Sequence, residues 1–337
     1  MAIPVVRFWL ACGSLCLAVL LSLVSAHAAE PSPTLSPRKG ELIEIPAAPE
    51  KGFNFPYLLF VPDLGEEKKY DYLLVETNNT GRGSDDFEVH RAAATALARD
   101  SSVGNWVAKA LRIPLLVPIF PRPASTDNVY THSLDRDTIL IADGPLKRLD
   151  LQLLAMIADA RPRFEAMKRP VRPKVLINGF SASGLFANRF ALLHPEAVAA
   201  AAYGGINGFI TLPVAELKSH SLNFPVGIAD LEKITGHPFD RPAYLAIPQF
   251  GYMGAEETND AVVHKDAYSD EERTLIFELL GRKMMPDRWE AVQAVYQNEK
   301  VPIQFKTYSG IGHGTDGRIN KEVAEFFRGV IEKASAQ

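Results

Sequence analysis

The stretch Val175-Leu176-Ile177-Asn178-Gly179-Phe180-Ser181-Ala182-Ser183-Gly184 decides how this chain is read. A short apolar run, rich in β-branched residues, enters a turn of small residues. Beyond the turn, Gly184–Leu193 carries a helical pattern that stops before Pro195. That is strand, tight turn, helix. Working outward, the same unit recurs on both sides. Strands are expected at Tyr57–Val61, Tyr72–Glu76, Ile113–Phe120, Lys174–Asn178, Val198–Tyr203, Tyr244–Tyr252 and Ile303–Tyr308. Helical patterns fill Phe87–Arg99, Val103–Leu111, Leu146–Arg161, Glu271–Leu280, Asp287–Gln297 and Lys321–Lys333. Strands alternating with helices imply an α/β fold, a mostly parallel central sheet with helices on both faces. The loop-rich segment 209–242 breaks the rhythm and is expected to be a small lid or inset over the site.

Composition removes other classes. Apolar residues make up 47% of the 337 residues and charged residues 23%, which excludes a disordered chain. The 24 Pro and 23 Gly show no Gly-X-Y period, which excludes a collagen-like one. A net charge of -4 without a Lys/Arg run offers no footprint for nucleic acid.

Met1–Ala28 has the layout of a secretory signal peptide. Arg7 precedes an uncharged apolar run from Phe8 to Val24, and Ala26-His27-Ala28 is an A-x-A exit, so Ala29 is the expected mature N-terminus. An uncleaved anchor is the competing reading, and the small-residue exit argues against it. Cys12 and Cys16 both fall in this segment. A mature chain without cysteine has no disulfide, thiolate zinc ligand or thiol nucleophile. The expected place is the periplasm or the medium, without stable membrane association after cleavage. Residues 29–50, with Pro31, Pro33, Pro37, Pro46 and Pro49, read as a Pro-rich tether or an extended strap. Residues 51–337 are left as one domain.

The turn Gly179-Phe180-Ser181-Ala182-Ser183 resembles the G-x-S-x-G nucleophile elbow of the α/β-hydrolase superfamily, with Ser183 in place of the second Gly. In that family a tight turn lifts one serine above the sheet, and the residues two places either side must be small. Gly179 and Ser183 satisfy this for Ser181. For Ser183 the neighbour would be the bulky Leu185. Ser181 is therefore the expected nucleophile, although a serine here could equally cap the helix.

Serine needs a base to take its proton, and the base needs a third group to hold its tautomer. The family order is Ser, acid, His. A histidine between glycines, Gly312-His313-Gly314, directly follows the strand Ile303–Tyr308 and resembles the family's histidine loop. The other histidines lack that context, and among them His132 and His264 could line the site. The acid is sought after the strand Tyr244–Tyr252, in Gly254-Ala255-Glu256-Glu257-Thr258-Asn259-Asp260. Glu257 holds the position of the family's G-x-x-D turn, Asp260 is the alternative and Glu256 the third choice. For the oxyanion hole the resemblance implies the N–H of Ala182 and one from the loop Thr77-Asn78-Asn79-Thr80-Gly81, at Asn78 or Asn79.

Within the family the pattern looks nearest to secreted esterases of the polyhydroxyalkanoate-depolymerase or feruloyl-esterase kind, on the elbow followed by Asn188-Arg189-Phe190 and His194-Pro195. The resemblance implies a serine hydrolase of small or polymeric carboxylic esters that needs no cofactor. A peptidase on the same fold, or a binding protein that kept the fold, are the competing readings. No Walker A or H-E-x-x-H sequence is present, Gly81-Arg82-Gly83 does not extend to a dinucleotide fingerprint, and no run has metal-ligand spacing.

Overall fold

The computed structural model describes residues 41–62, 72–100, 102–126 and 128–336, together with Met1 and Ala2. Apart from Met1 and Ala2, the segment read as a signal peptide and the first part of the tether, residues 3–40, lie outside the described residues.

Among the described residues, eight strands form one sheet: β1 (Glu41–Ile45), β2 (Tyr57–Val61), β3 (Leu74–Glu76), β4 (Leu115–Pro118), β5 (Val175–Phe180), β6 (Val198–Gly204), β9 (Gln249–Gly254) and β10 (Ile303–Tyr308). A hairpin of β7 (Glu216–Leu217) and β8 (His220–Ser221) stands apart. The sheet order is β1-β2-β4-β3-β5-β6-β9-β10. The first two pairings are antiparallel and all the others parallel. The helices are α1 (Phe87–Arg99), α2 (Val103–Leu111), α3 (Arg136–Ile139), α4 (Leu149–Ala166), α5 (Ala182–Leu193), α6 (Leu231–Thr235), α7 (Arg241–Leu245), α8 (Asp270–Leu280), α9 (Trp289–Asn298) and α10 (Gly317–Ser335).

Parallel strands must be covered on both faces, and alternate residues of each strand serve one face or the other. Val75, Leu116, Val175, Ile177, Ala201 and Tyr203 pack with α4, α5 and α9. Leu74, Leu115, Leu176, Ala202 and Phe250 pack with α1, α2 and α10. The segment 209–242 is an inset in the first layer. It buries Phe209, Leu212, Leu222 and Phe224 there. Thr211 N–H donates to Asn188 of α5 (2.9 Å), and Tyr296 of α9 donates to the Thr211 carbonyl (2.6 Å).

Two sequence expectations need correction and a third gains detail. Residues 41–45, read as part of a tether or an extended strap, form an edge strand in full register with β2. The apolar Leu42 and Ile45 within this polar segment supply contacts to both core layers. The strand expected over Tyr244–Tyr252 begins only at Gln249. Asp240 caps a helical turn by accepting from Ala243 N–H, Pro242 sits in its first turn, and Tyr244 lies inside that turn. The helix read as ending at Arg161 runs through Pro162 to Ala166. Pro162 removes one backbone bond, and the buried Ala160 and Phe164 on either side hold the last turns to the core.

Candidate active site

Six parallel strands end on the same edge of the sheet, and the loops that leave β3, β5, β6, β9 and β10 gather there, where open α/β sheets bind ligands. At the end of β5 the chain must reverse into α5 within one residue. Ser181 makes that turn with φ 62° and ψ −130°, a conformation that costs a non-glycine residue roughly 1–3 kcal/mol. A Cβ on Gly179 would stand 2.1 Å from the Ser183 carbonyl oxygen, so only glycine fits there. Ser181 N–H is anchored on the Gly204 carbonyl of β6 at 2.8 Å.

The two serines of the turn differ. Ser183 Oγ donates to the Phe180 carbonyl (2.8 Å) and accepts the Phe180 N–H (2.9 Å), so its hydroxyl is spent closing the elbow. Among the described residues Ser181 Oγ makes no such bond, and Ser181 keeps 6% exposure. A serine in place of the second glycine thus reinforces the turn.

The loops that follow β9 and β10 are stitched together. Ala255 N–H donates to the Tyr308 carbonyl (2.8 Å) and Glu256 N–H to the Ile311 carbonyl (2.9 Å). A Cβ on Gly254 would meet the Ile311 carbonyl oxygen at 2.2 Å, so glycine lets the loops cross. His313 Nδ1 lies 2.7 Å from Glu257 Oε2. The Glu257 side chain is fully buried, and its Oε1 accepts the N–H groups of Thr258 and Asn259, both at 2.9 Å. A carboxylate oxygen accepts, so Nδ1 carries the imidazole proton and Nε2 faces outward as an acceptor. The His313 ring rests against Phe180 at 5.1 Å between centroids.

The alternative acids have other work. Asp260 accepts the Val262 N–H at 3.1 Å and pairs with the fully buried Arg288. Glu256 is exposed. The structure adds one residue that the sequence reading did not single out. Asn259 Nδ2 lies 3.1 Å from His313 Nε2. Its position two residues past Glu257 was the available signal.

Of the proposed oxyanion groups, the Ala182 N–H stands at the first position of α5, where no intrahelical acceptor exists. The Asn78 side chain brackets Phe120, donating to its carbonyl (2.8 Å) and accepting its N–H (3.0 Å). Asn79 Oδ1 accepts the Gly81 N–H (3.0 Å), an Asx turn. Beside the elbow lies a cavity of 480 Å³ bordered by Glu76, Asn79, Leu97, Phe180, Ser183 and Gly314. Burial pushes the Glu76 carboxyl up to about 7, against the opposing pull of nearby donors, among them the Gly104 N–H at 2.6 Å. Among the described residues no group of His, Cys, Asp and Glu is arranged to hold a metal ion.

No protein-family model and no curated protein matches the chain. Solved structures do. Poly(aspartic acid) hydrolase-1 from Sphingomonas sp. KT-1 is 18% identical, with a TM-score of 0.55 over 87% of this chain and 99% of that one. LpqC, a poly(3-hydroxybutyrate) depolymerase from Bordetella parapertussis, is 16% identical, with a TM-score of 0.51 over 85% and 88%. An α/β hydrolase, MGS-M1, from a Medee basin deep-sea metagenome library is 12% identical, with a TM-score of 0.45 over 86% and 97%. The chain has the α/β-hydrolase fold. Its mostly parallel sheet, the positive-φ turn at Ser181 between β5 and α5, and the loops that carry Glu257 after β9 and His313 after β10 follow the strand order of that fold.

Proposed function

We propose that this chain with the α/β-hydrolase fold is a serine hydrolase of carboxylic esters. The observation that carries the reading is the His313–Glu257 pair at 2.7 Å, on the sheet edge where Ser181 makes its positive-φ turn. Ser181 Oγ attacks the acyl carbonyl carbon while His313 Nε2 takes the hydroxyl proton. The negative charge that develops on the carbonyl oxygen is met by the Ala182 N–H and by the backbone at Asn78 or Asn79. Collapse breaks the bond to the alcohol, which leaves with the proton from His313. Water, activated by the same imidazole, then releases the acid from the acyl-enzyme. Glu257 keeps Nδ1 protonated and stabilises the imidazolium. Asn259 Nδ2, now at Nε2, gives way to the serine hydroxyl by rotation of its own side chain.

Two of the similar solved structures, with TM-scores of 0.55 and 0.51, are named for the hydrolysis of polymers, one of them a polyamide. The test is therefore a panel of p-nitrophenyl esters, 3-hydroxybutyrate oligomers, oligo-aspartate and peptide anilides, with wild type and Ser181→Ala. Turnover of esters that disappears in Ser181→Ala, together with fluorophosphonate labelling of Ser181, supports the reading. Ester turnover that survives Ser181→Ala overturns it, and amide turnover alone makes the protein a peptidase or amidase.

We read the chain as exported, with Met1–Ala28 removed. No helix among the described residues is long and apolar enough to cross a membrane. N-terminal sequencing of the protein from its native cell decides this: Ala29 supports export with cleavage, and an intact Met1 overturns it.

A further inference from the structure

The loop Thr77–Gly81 is gripped by two buried histidines from different elements. His132 lies on the turn Thr131–Ser133 and His90 on α1, with exposures of 1% and 0%. His132 Nε2 is 2.8 Å from the Phe120 carbonyl oxygen. A carbonyl only accepts, so Nε2 carries the proton, and Nδ1 accepts the Thr80 backbone N–H at 3.3 Å. The same Phe120 carbonyl receives Asn78 Nδ2 at 2.8 Å. His90 Nε2 lies 2.9 Å from the Ser84 carbonyl oxygen, and His90 Nδ1 and the Thr80 hydroxyl share a hydrogen bond at 2.8 Å. Thr80 is held by its N–H from one ring and by its hydroxyl from the other. The rings meet edge to face at 5.6 Å.

The network continues to the elbow. Arg189 of α5, fully buried, donates from Nη1 to the carbonyl of Ser133 at 2.8 Å. One connected set of hydrogen bonds and adjacent residues thus joins the helix that opens with the Ala182 N–H to the loop that offers Asn78 and Asn79. We infer that His132 is a positioning residue for the oxyanion hole, holding the Asn78–Asn79 backbone at a fixed place relative to the Ala182 N–H. This inference rests on Ser181 being the nucleophile.

The choice of histidine follows from the geometry. The site needs one donor for Phe120 and one acceptor for Thr80 on a single rigid, uncharged group. Neutral imidazole supplies both. Burial pulls His132 down to about 3, with His90 and Arg122 adding to the effect and the Phe120 bond opposing it. Nδ1 therefore remains an acceptor at neutral pH.

The test uses the full mature chain with p-nitrophenyl butyrate and a phenylboronic acid inhibitor. His132→Phe removes both bonds. Its kcat is expected to fall about 10²-fold, as for the loss of one oxyanion donor, with KM within about threefold of wild type. Boronate affinity should fall in parallel, and the acid limb of the pH–rate profile should not move. His132→Asn places a carbonyl oxygen where Nδ1 stood and keeps the Thr80 bond. His132→Gln places its amide where Nε2 stood and loses that bond. Asn should retain clearly more kcat than Gln, and this comparison decides the matter if the Phe variant does not fold. A folded His132→Phe with wild-type kcat, a loss confined to KM, or Asn no better than Gln overturns the inference. Wild type without serine-dependent turnover overturns the nucleophile reading and this one with it. Serine-dependent turnover with an indifferent His132 overturns this one alone.

Discussion

Replacing Glu257 by Gln keeps the size of the side chain and changes one oxygen to NH₂. Both carboxylate oxygens are occupied, Oε1 by the N–H groups of Thr258 and Asn259 and Oε2 by His313 Nδ1. The amide has two orientations. With its oxygen toward His313, its NH₂ would face two backbone donors in a fully buried place. Leaving two buried donors unpaired costs about 2–6 kcal/mol. With its oxygen toward the backbone, its NH₂ faces Nδ1, and the imidazole answers by moving its proton to Nε2. The second arrangement costs less, so it prevails. It leaves His313 in the tautomer that cannot take the serine proton. The equivalent loss in a serine triad is about 10⁴ in kcat, or about 5.5 kcal/mol of barrier. Asp260→Asn is the matched comparison. It strips the counter-charge from Arg288, which has no exposure, and should lower stability by about 3–5 kcal/mol. Its kcat per folded molecule should stay within about tenfold of wild type. The assay is kcat and KM on p-nitrophenyl butyrate, paired with urea unfolding followed by circular dichroism. A Glu257→Gln enzyme within tenfold of wild type, or an Asp260→Asn enzyme that is stable and inactive, would refute this assignment of the two acids.

Three further outcomes are expected. Ser183→Ala should keep kcat within about tenfold while losing about 1 kcal/mol of stability, because only the bonds that close the turn at Phe180 are lost; a dead, stable variant would make Ser183 the nucleophile. Gly179→Ala drives a Cβ to 2.1 Å from the Ser183 carbonyl oxygen, where the obstacle is backbone, and should cost about 3 kcal/mol or more and abolish the elbow, read as a loss of soluble folded protein or of turnover; a stable and active variant would contradict the turn as described. Burial pulls His194 down, but its hydrogen bond to Asp150 (2.9 Å) and the Glu196 carboxylate 3.6 Å away outweigh that and leave its pKa raised above 6.5. A raised folded-state pKa stabilises fully below about 6.5, and the contribution fades as pH rises through the folded value. The stability gap between wild type and His194→Gln, read by urea unfolding, should be wide at pH 5.5 and shrink by pH 9; a gap that widens with pH would reverse the sign assigned to this pair.

Much of this molecule was legible along the chain because its determinants are local. Strand and helix alternation follows from short apolar runs and turn residues, and the sheet has helices on both faces as expected. The elbow is readable because its backbone demands small residues at fixed offsets, and Gly179 and Ser183 stand there. Glu257 and His313 were singled out on resemblance to loops after the last two strands, and the glycine beside that reading has a local reason, since Gly254 lets its loop pass beneath Ile311. What the sequence could not supply was partnership at long separation. Glu257 and Asp260 are both carboxylates three residues apart. Only the fold brings Arg288 to one and His313 to the other. The segment Tyr244–Tyr252 is apolar enough for a strand throughout, and the Asp240 cap, a local tertiary choice, converts its first part to helix. Residues 41–45 join the sheet because β2 offers an open edge on which Leu42 and Ile45 can reach the two core layers, and that edge is not visible in the segment itself. The grip of His90 and His132 on Thr80 depends on three elements meeting. Hydrogen bonding between distant residues is decided by where the backbone carries them, and that place is set by the packing of the whole core.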